Sequence, residues 1–156
     1  MKFMNYSIRG REEVRLGLVL DAGCLDLIGA QSGGQLDLGS ATRLEDVLGQ
    51  APGLQDLERQ LTSIDLGSLA EFTIPMGGFR PRQPVFTPQK IIGIGLNYHD
   101  HVKEVGRALP TEPLLFAMYP NTVIGHDEAI AIPAMSDMID YEAELGVIIG
   151  RRGRHI

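Results

Sequence analysis

The sequence predicts an α+β protein in two parts, a small N-terminal α/β lobe followed by a strand-rich remainder that carries the chemistry. Three observations predict it. Short β-rich runs at 2–8, 14–20 and 25–28 precede two leucine-bearing helix patterns. Prolines and glycines gather between 71 and 88. Residues 140–149, DYEAELGVII, hold an unbroken apolar set at every second position.

Within the lobe, the first two runs read as strands, and the turn Asp21-Ala22-Gly23 leads into a third at 25–28. A polar, glycine-bearing loop follows at 31–40. Thr42-Arg43-Leu44-Glu45 matches a capping box, which predicts a short helix to about Gly49. Leu54, Leu57, Leu61 and Ile64 are spaced for one face of a second helix. These apolar positions read as core, and nothing in residues 1–70 carries chemistry. Pro75, Pro81, Pro84 and Pro88, with Gly77 and Gly78, predict an extended connector over 71–88.

From Lys90 the pattern predicts a strand at 91–94, a helix over 98–106 and a strand at 114–118. Short strands at 123–124 and 129–132 would flank a turn at 125–128. Residues 140–149 form the longest strand candidate. Tyr141, Ala143, Leu145, Val147 and Ile149 belong in a core, while Asp140, Glu142 and Glu144 share the opposite face.

Composition narrows the function classes. With 44% hydrophobic and 22% charged residues, the 156-residue chain is an ordinary globular protein. A net charge of −6 with no basic run argues against nucleic acid. Cys24 is the sole cysteine, which excludes an internal disulfide or a multi-thiolate zinc site and fits a reducing compartment. No apolar stretch approaches the roughly 20 residues of a membrane span. The start MKFMNYSIRG lacks the apolar core of a signal peptide, so a cytoplasmic location is expected.

Two constellations stand out. Glu142 and Glu144 would lie side by side on a half-buried strand, where two carboxylates repel and are costly to desolvate. A hard divalent cation relieves both costs. A solvated strand face is the plain alternative. His101 and Glu104, three apart on the predicted helix, share a face, so the carboxylate can orient the imidazole as a general base. The plain alternative there is an exposed helical ion pair. His99 and His101 splay apart at their spacing, His126 sits in a turn, and His155 is terminal. Gly93 and Gly95 lack the third glycine of a dinucleotide fingerprint. They read instead as close backbone approach at a strand end, with Asn97 capping the helix.

KIIGIGLNYHDHVKE, then PTEPLLF and PNTVIGHDE, then DYEAELGVIIGRRGRHI, resemble the fumarylacetoacetate hydrolase family in order and spacing from Lys90 onward. The N-terminal lobe resembles the small domain that precedes the catalytic domain in many bacterial members. The resemblance implies that residues 89–156 are the first part of a mixed β-roll catalytic domain, usually homodimeric, acting on small 2-oxo or β-diketo acids. The implied activity is hydrolysis of a C–C bond through a metal-bound enolate, with decarboxylation or isomerisation as the alternatives. Glu142 and Glu144 match the family's ligands for Mg²⁺, Mn²⁺ or Ca²⁺, and His101 with Glu104 matches its catalytic dyad.

Two departures qualify this expectation. The family's third metal-binding carboxylate, an aspartate in an N-D motif, lies beyond the matched stretch. Met118 stands where members commonly place a lysine. The 156-residue chain alone is therefore expected to bind Mg²⁺ weakly and turn over little substrate. A non-catalytic piece that needs a partner chain is the competing expectation.

Overall fold

The computed structural model describes residues 1–49 and 53–156. It divides into one unit of residues 1–84 with 124–156 and another of residues 85–123.

The first unit is built on a five-stranded antiparallel sheet. Its strands are β1 (Phe3–Ile8), β2 (Arg15–Leu20), β3 (Gly23–Asp26), β4 (Thr73–Pro75) and β5 (Phe79–Pro81), in the order β4-β3-β2-β1-β5. Registers Phe3↔Leu18, Asn5↔Leu16 and Leu18↔Leu25 line one face with the leucines of the core. Met4↔Gly17, Tyr6↔Arg15 and Gly17↔Asp26 line the other. Over the core face lie α1 (Leu27–Ser32), α2 (Leu44–Gly49) and α3 (Gly53–Ser63), with a 3₁₀ helix at Leu66–Phe72. Leu57 and Leu61 are buried, and Leu54 and Ile64 pack partly buried beside them, as their spacing predicts. Each fully buried leucine contributes about 1.5–3 kcal/mol against exposure.

Four local expectations need correction in this unit. The third strand ends at Asp26, and Leu27–Ile28 begin a helix. The buried pair Leu27 and Ala30 is three apart, a helical period rather than a strand's. Helix α2 starts one residue later than the capping box implied. Asp46, not Glu45, reaches back to accept from the Thr42 N–H at 2.9 Å and the Arg43 N–H at 3.0 Å. Part of the stretch read as a connector is sheet, because β4 and β5 fall within 71–88. Both are edge strands, where Pro75 and Pro81 break no ladder on their outer side. Finally, residues 129–132 and 140–149 form no strand. Alternation supplies an apolar face but not a ladder neighbour, and a strand is held by ladder hydrogen bonds. The turn at 125–128 does form, with the Glu128 N–H donating to the Gly125 carbonyl at 3.2 Å.

The second unit pairs β6 (Ile91–Gly95) antiparallel with β7 (Leu114–Met118) and places α4 (His99–Glu104) between them in sequence. No strand forms at Val123. Gly93 sits opposite Phe116, and a Cβ there would lie 2.3 Å from the ring, so only glycine accommodates the aromatic cover. Among the described residues, no helix is long and apolar enough to cross a membrane.

Candidate active site

Helix α4 carries the histidine–carboxylate pair. Strand β6 ends at Gly95, and Leu96 then adopts φ +54°, a left-handed conformation that a leucine takes only at a cost. Tyr98 caps the helix with extended backbone and no side-chain capping bond. The expected cap, Asn97, therefore lies one residue too early, because the turn at Leu96 delays the helix.

Once the helix runs, the i, i+3 spacing brings His101 Nδ1 to 3.9 Å from Glu104 Oε2. Their side chains are 44% and 81% exposed, so the pair is open to a ligand rather than sealed in a core. Val102 is the buried residue of the helix. Lys103 and Asp100 form a separate pair at 3.6 Å. At 3.9 Å the imidazole and carboxylate are oriented toward each other but not yet in a tight hydrogen bond, which is common for catalytic pairs without ligand. His99 is exposed, and His126 faces Asp127 at 3.5 Å in its turn.

Glu142 and Glu144 belong to the first unit, in the exposed segment 140–149. The strand face expected to present them side by side does not form. As oxygen donors they suit a hard cation. Among the described residues, however, no group of three His, Cys, Asp or Glu side chains gathers that could hold a metal ion. Two carboxylates fall short of an octahedral set without waters or further protein ligands. Asp140 is turned to its own backbone, accepting from the Tyr141 N–H at 2.8 Å.

The strained Leu96 was not foreseen from sequence. A G-x-G followed by a bulky residue before a helix start is the only signal that hinted at it.

Residues 90–156 match the model of the fumarylacetoacetate (FAA) hydrolase C-terminal domain. Residues 90–156 belong to the fumarylacetoacetate hydrolase family. A fumarylacetoacetate hydrolase domain-containing protein 2 homolog from Dictyostelium discoideum is 31% identical over 147 residues, 94% of this chain and 45% of that protein. The human mitochondrial oxaloacetate tautomerase FAHD2A is 38% identical over 73 residues, 47% of this chain and 23% of its own length. The fold is shared with the crystal structure of an HpcE protein from Mycobacterium smegmatis, at a TM-score of 0.57 and 20% identity, covering 85% of this chain and 41% of that one. The chain thus spans less than half the length of the relatives it matches. The family match covers the β6–α4–β7 unit and the segment with Glu142 and Glu144, while the lobe sheet lies outside it.

Proposed function

We propose that this chain contributes the proton-transfer dyad of an enzyme acting on 2-oxo acids, moving a proton at the carbon beside the 2-oxo group. The observation that carries the reading is the exposed His101–Glu104 pair on α4. His101 would take the proton, and Glu104 would hold the ring and stabilise its protonated form. A divalent cation such as Mg²⁺, held by Glu142 and Glu144, would polarise the 2-oxo oxygen and offset the charge that develops there.

Proton transfer is the step common to two outcomes. In a hydrolase on acylpyruvate-like β-diketo acids, His101 activates the water that attacks before the C–C bond breaks. In a tautomerase, the same base moves a proton between carbon and oxygen with no bond cleavage. The names of the relatives favour the second outcome, several of them being oxaloacetate tautomerases. In either case we propose a homodimer in which a small 2-oxo acid is the substrate.

The test uses protein from the full reading frame that contains this sequence, assayed with Mg²⁺ for enol–keto conversion of oxaloacetate and for cleavage of acylpyruvates. One of the two activities is expected, falling about 10²–10⁴-fold in His101→Gln. Wild-type rates in His101→Gln would sink the assignment of the base. Calorimetry on the 156-residue chain should give a Mg²⁺ dissociation constant on the order of millimolar, lost in Glu142→Ala. Binding that survives Glu142→Ala would remove this residue from the metal site.

A further inference from the structure

One buried side chain reaches the exit from the N-terminal lobe. Asn5 lies in β1 on the core face, fully buried, where an apolar residue would be the ordinary choice. Its carboxamide is satisfied from three directions. The Oδ1 atom accepts from the Leu44 N–H at 2.7 Å, at the start of α2. The Nδ2 group faces Glu45 Oε2 at 3.2 Å on the same helix. It also donates toward the carbonyls of Gln83 at 3.1 Å and Pro84 at 3.0 Å. The Asn5 backbone adds a fourth tie, its carbonyl accepting from the Arg82 N–H at 2.8 Å.

Residues 82–84 follow the edge strand β5 and immediately precede Val85, where the second unit begins. Beyond the backbone bond from the Arg82 N–H to the Asn5 carbonyl no ladder continues, so the Gln83 and Pro84 carbonyls take their partner from a side chain. We propose that Asn5 is a linker clamp. Its Nδ2 group fixes the course of residues 82–84, the chain's route from the lobe to the unit that carries His101 and Glu104. Its Oδ1 group, by contrast, serves α2 and belongs to the lobe's own stability. The two halves of one carboxamide therefore have separable roles. A buried apolar residue could not replace it without leaving several polar groups unpaired, each costly in the interior.

The separation of roles makes the test specific. In the double variant N5D/E45Q the new carboxylate still accepts from the Leu44 N–H and from the position-45 amide, but it cannot donate to the Gln83 and Pro84 carbonyls. The linker should come free while α2 stays in place. Trypsin reads this directly, because Arg82–Gln83 is a cleavable bond inside the clamp, whereas Arg43 and Arg59 report on the lobe. Cleavage after Arg82 should rise at least tenfold, with rates after Arg43 and Arg59 unchanged. Equal protection at Arg82 in the variant would overturn the proposal, as would a parallel rise at all three sites, which would make Asn5 merely a core residue. A measurement on the unaltered chain can still overturn the clamp if the variant does not fold. The Asn5 side-chain amide protons should exchange with solvent at least tenfold more slowly than those of exposed Asn97. Exchange as fast as Asn97 would mean no clamp exists.

Discussion

On the sheet face opposite the leucine core, Tyr6, Arg15, Cys24 and Asp26 form a polar cluster beside one glycine. Arg15 grips Asp26 with two nitrogens, Nε at 3.2 Å and Nη2 at 2.8 Å, a bidentate pair with little exposure. Burial, and then the Asp26 charge, pushes the Cys24 thiol up to about 12 from an ordinary 9.0 and raises the Tyr6 phenol as well. The folded chain thus keeps the Cys24 proton over a pH range where the unfolded chain has released it. The unfolded state binds fewer protons there, so stability falls as pH rises from about 9 to about 12. Thermal unfolding followed across this window should show the fall. It should be shallower in Cys24→Ala, though not absent, since Tyr6 adds to it; identical slopes would contradict the burial argument. Gly17 lies beneath the same cluster. A Cβ there would sit 2.4 Å from Cys24 Sγ and 2.9 Å from Tyr6 Cδ1. Gly17→Ala is accordingly expected to cost about 1–3 kcal/mol by overpacking, measured by urea denaturation. A neutral substitution would show that the ring and thiol move aside freely.

Helix α4 has only six residues and no side-chain cap, too short to hold itself by local bonding alone. Its place depends on the Leu96 turn, on Val102 and on the strand that feeds it. The His101–Glu104 pair adds little to that stability, because an exposed helical ion pair is worth about 0.3–0.5 kcal/mol. His101→Gln should therefore shift the denaturation midpoint by no more than about 0.5 kcal/mol. A loss of several kcal/mol would assign the histidine a structural role in place of the proposed chemical one. The β6–β7 pair poses a related question of support. Two strands alone are marginal in water. Here Ile92, Ile94, Leu114, Leu115, Phe116 and Met118 all remain exposed.

Across both units, exposed apolar side chains are the dominant feature, gathered in the β6–β7 pair and in residues 124–156, where Ile130, Ile132, Val147 and Ile149 are exposed. Apolar area on this scale drives association. The 156-residue chain should bind a hydrophobic dye such as ANS and self-associate as its concentration rises, seen by sedimentation velocity. Leu115→Glu together with Ile149→Glu should reduce both signals. A monodisperse monomer that leaves the dye dark would show that these residues find cover within one chain.

Wherever local pattern and burial coincided, the sequence was sufficient. Strands β1 and β2, the α3 leucine face, the β6–α4–β7 succession and the i, i+3 spacing of His101 and Glu104 all follow from periods of 2 and 3.6. The family resemblance likewise rested on motifs readable in order from Lys90 onward. Tertiary structure alone decided what depends on a neighbour. The alternation at 140–149 promised a strand, but no period specifies the adjacent strand that must complete its hydrogen bonds, so the strand expected to carry Glu142 and Glu144 does not form. Pro75 and Pro81 looked like linker chemistry until β1 and β3 offered them edges. Asn5 was invisible as a hub, since its partners Leu44, Glu45, Gln83 and Pro84 lie about 40 to 80 residues away. Contacts at such separation are fixed by the packing of elements, and local sequence pattern carries no record of them.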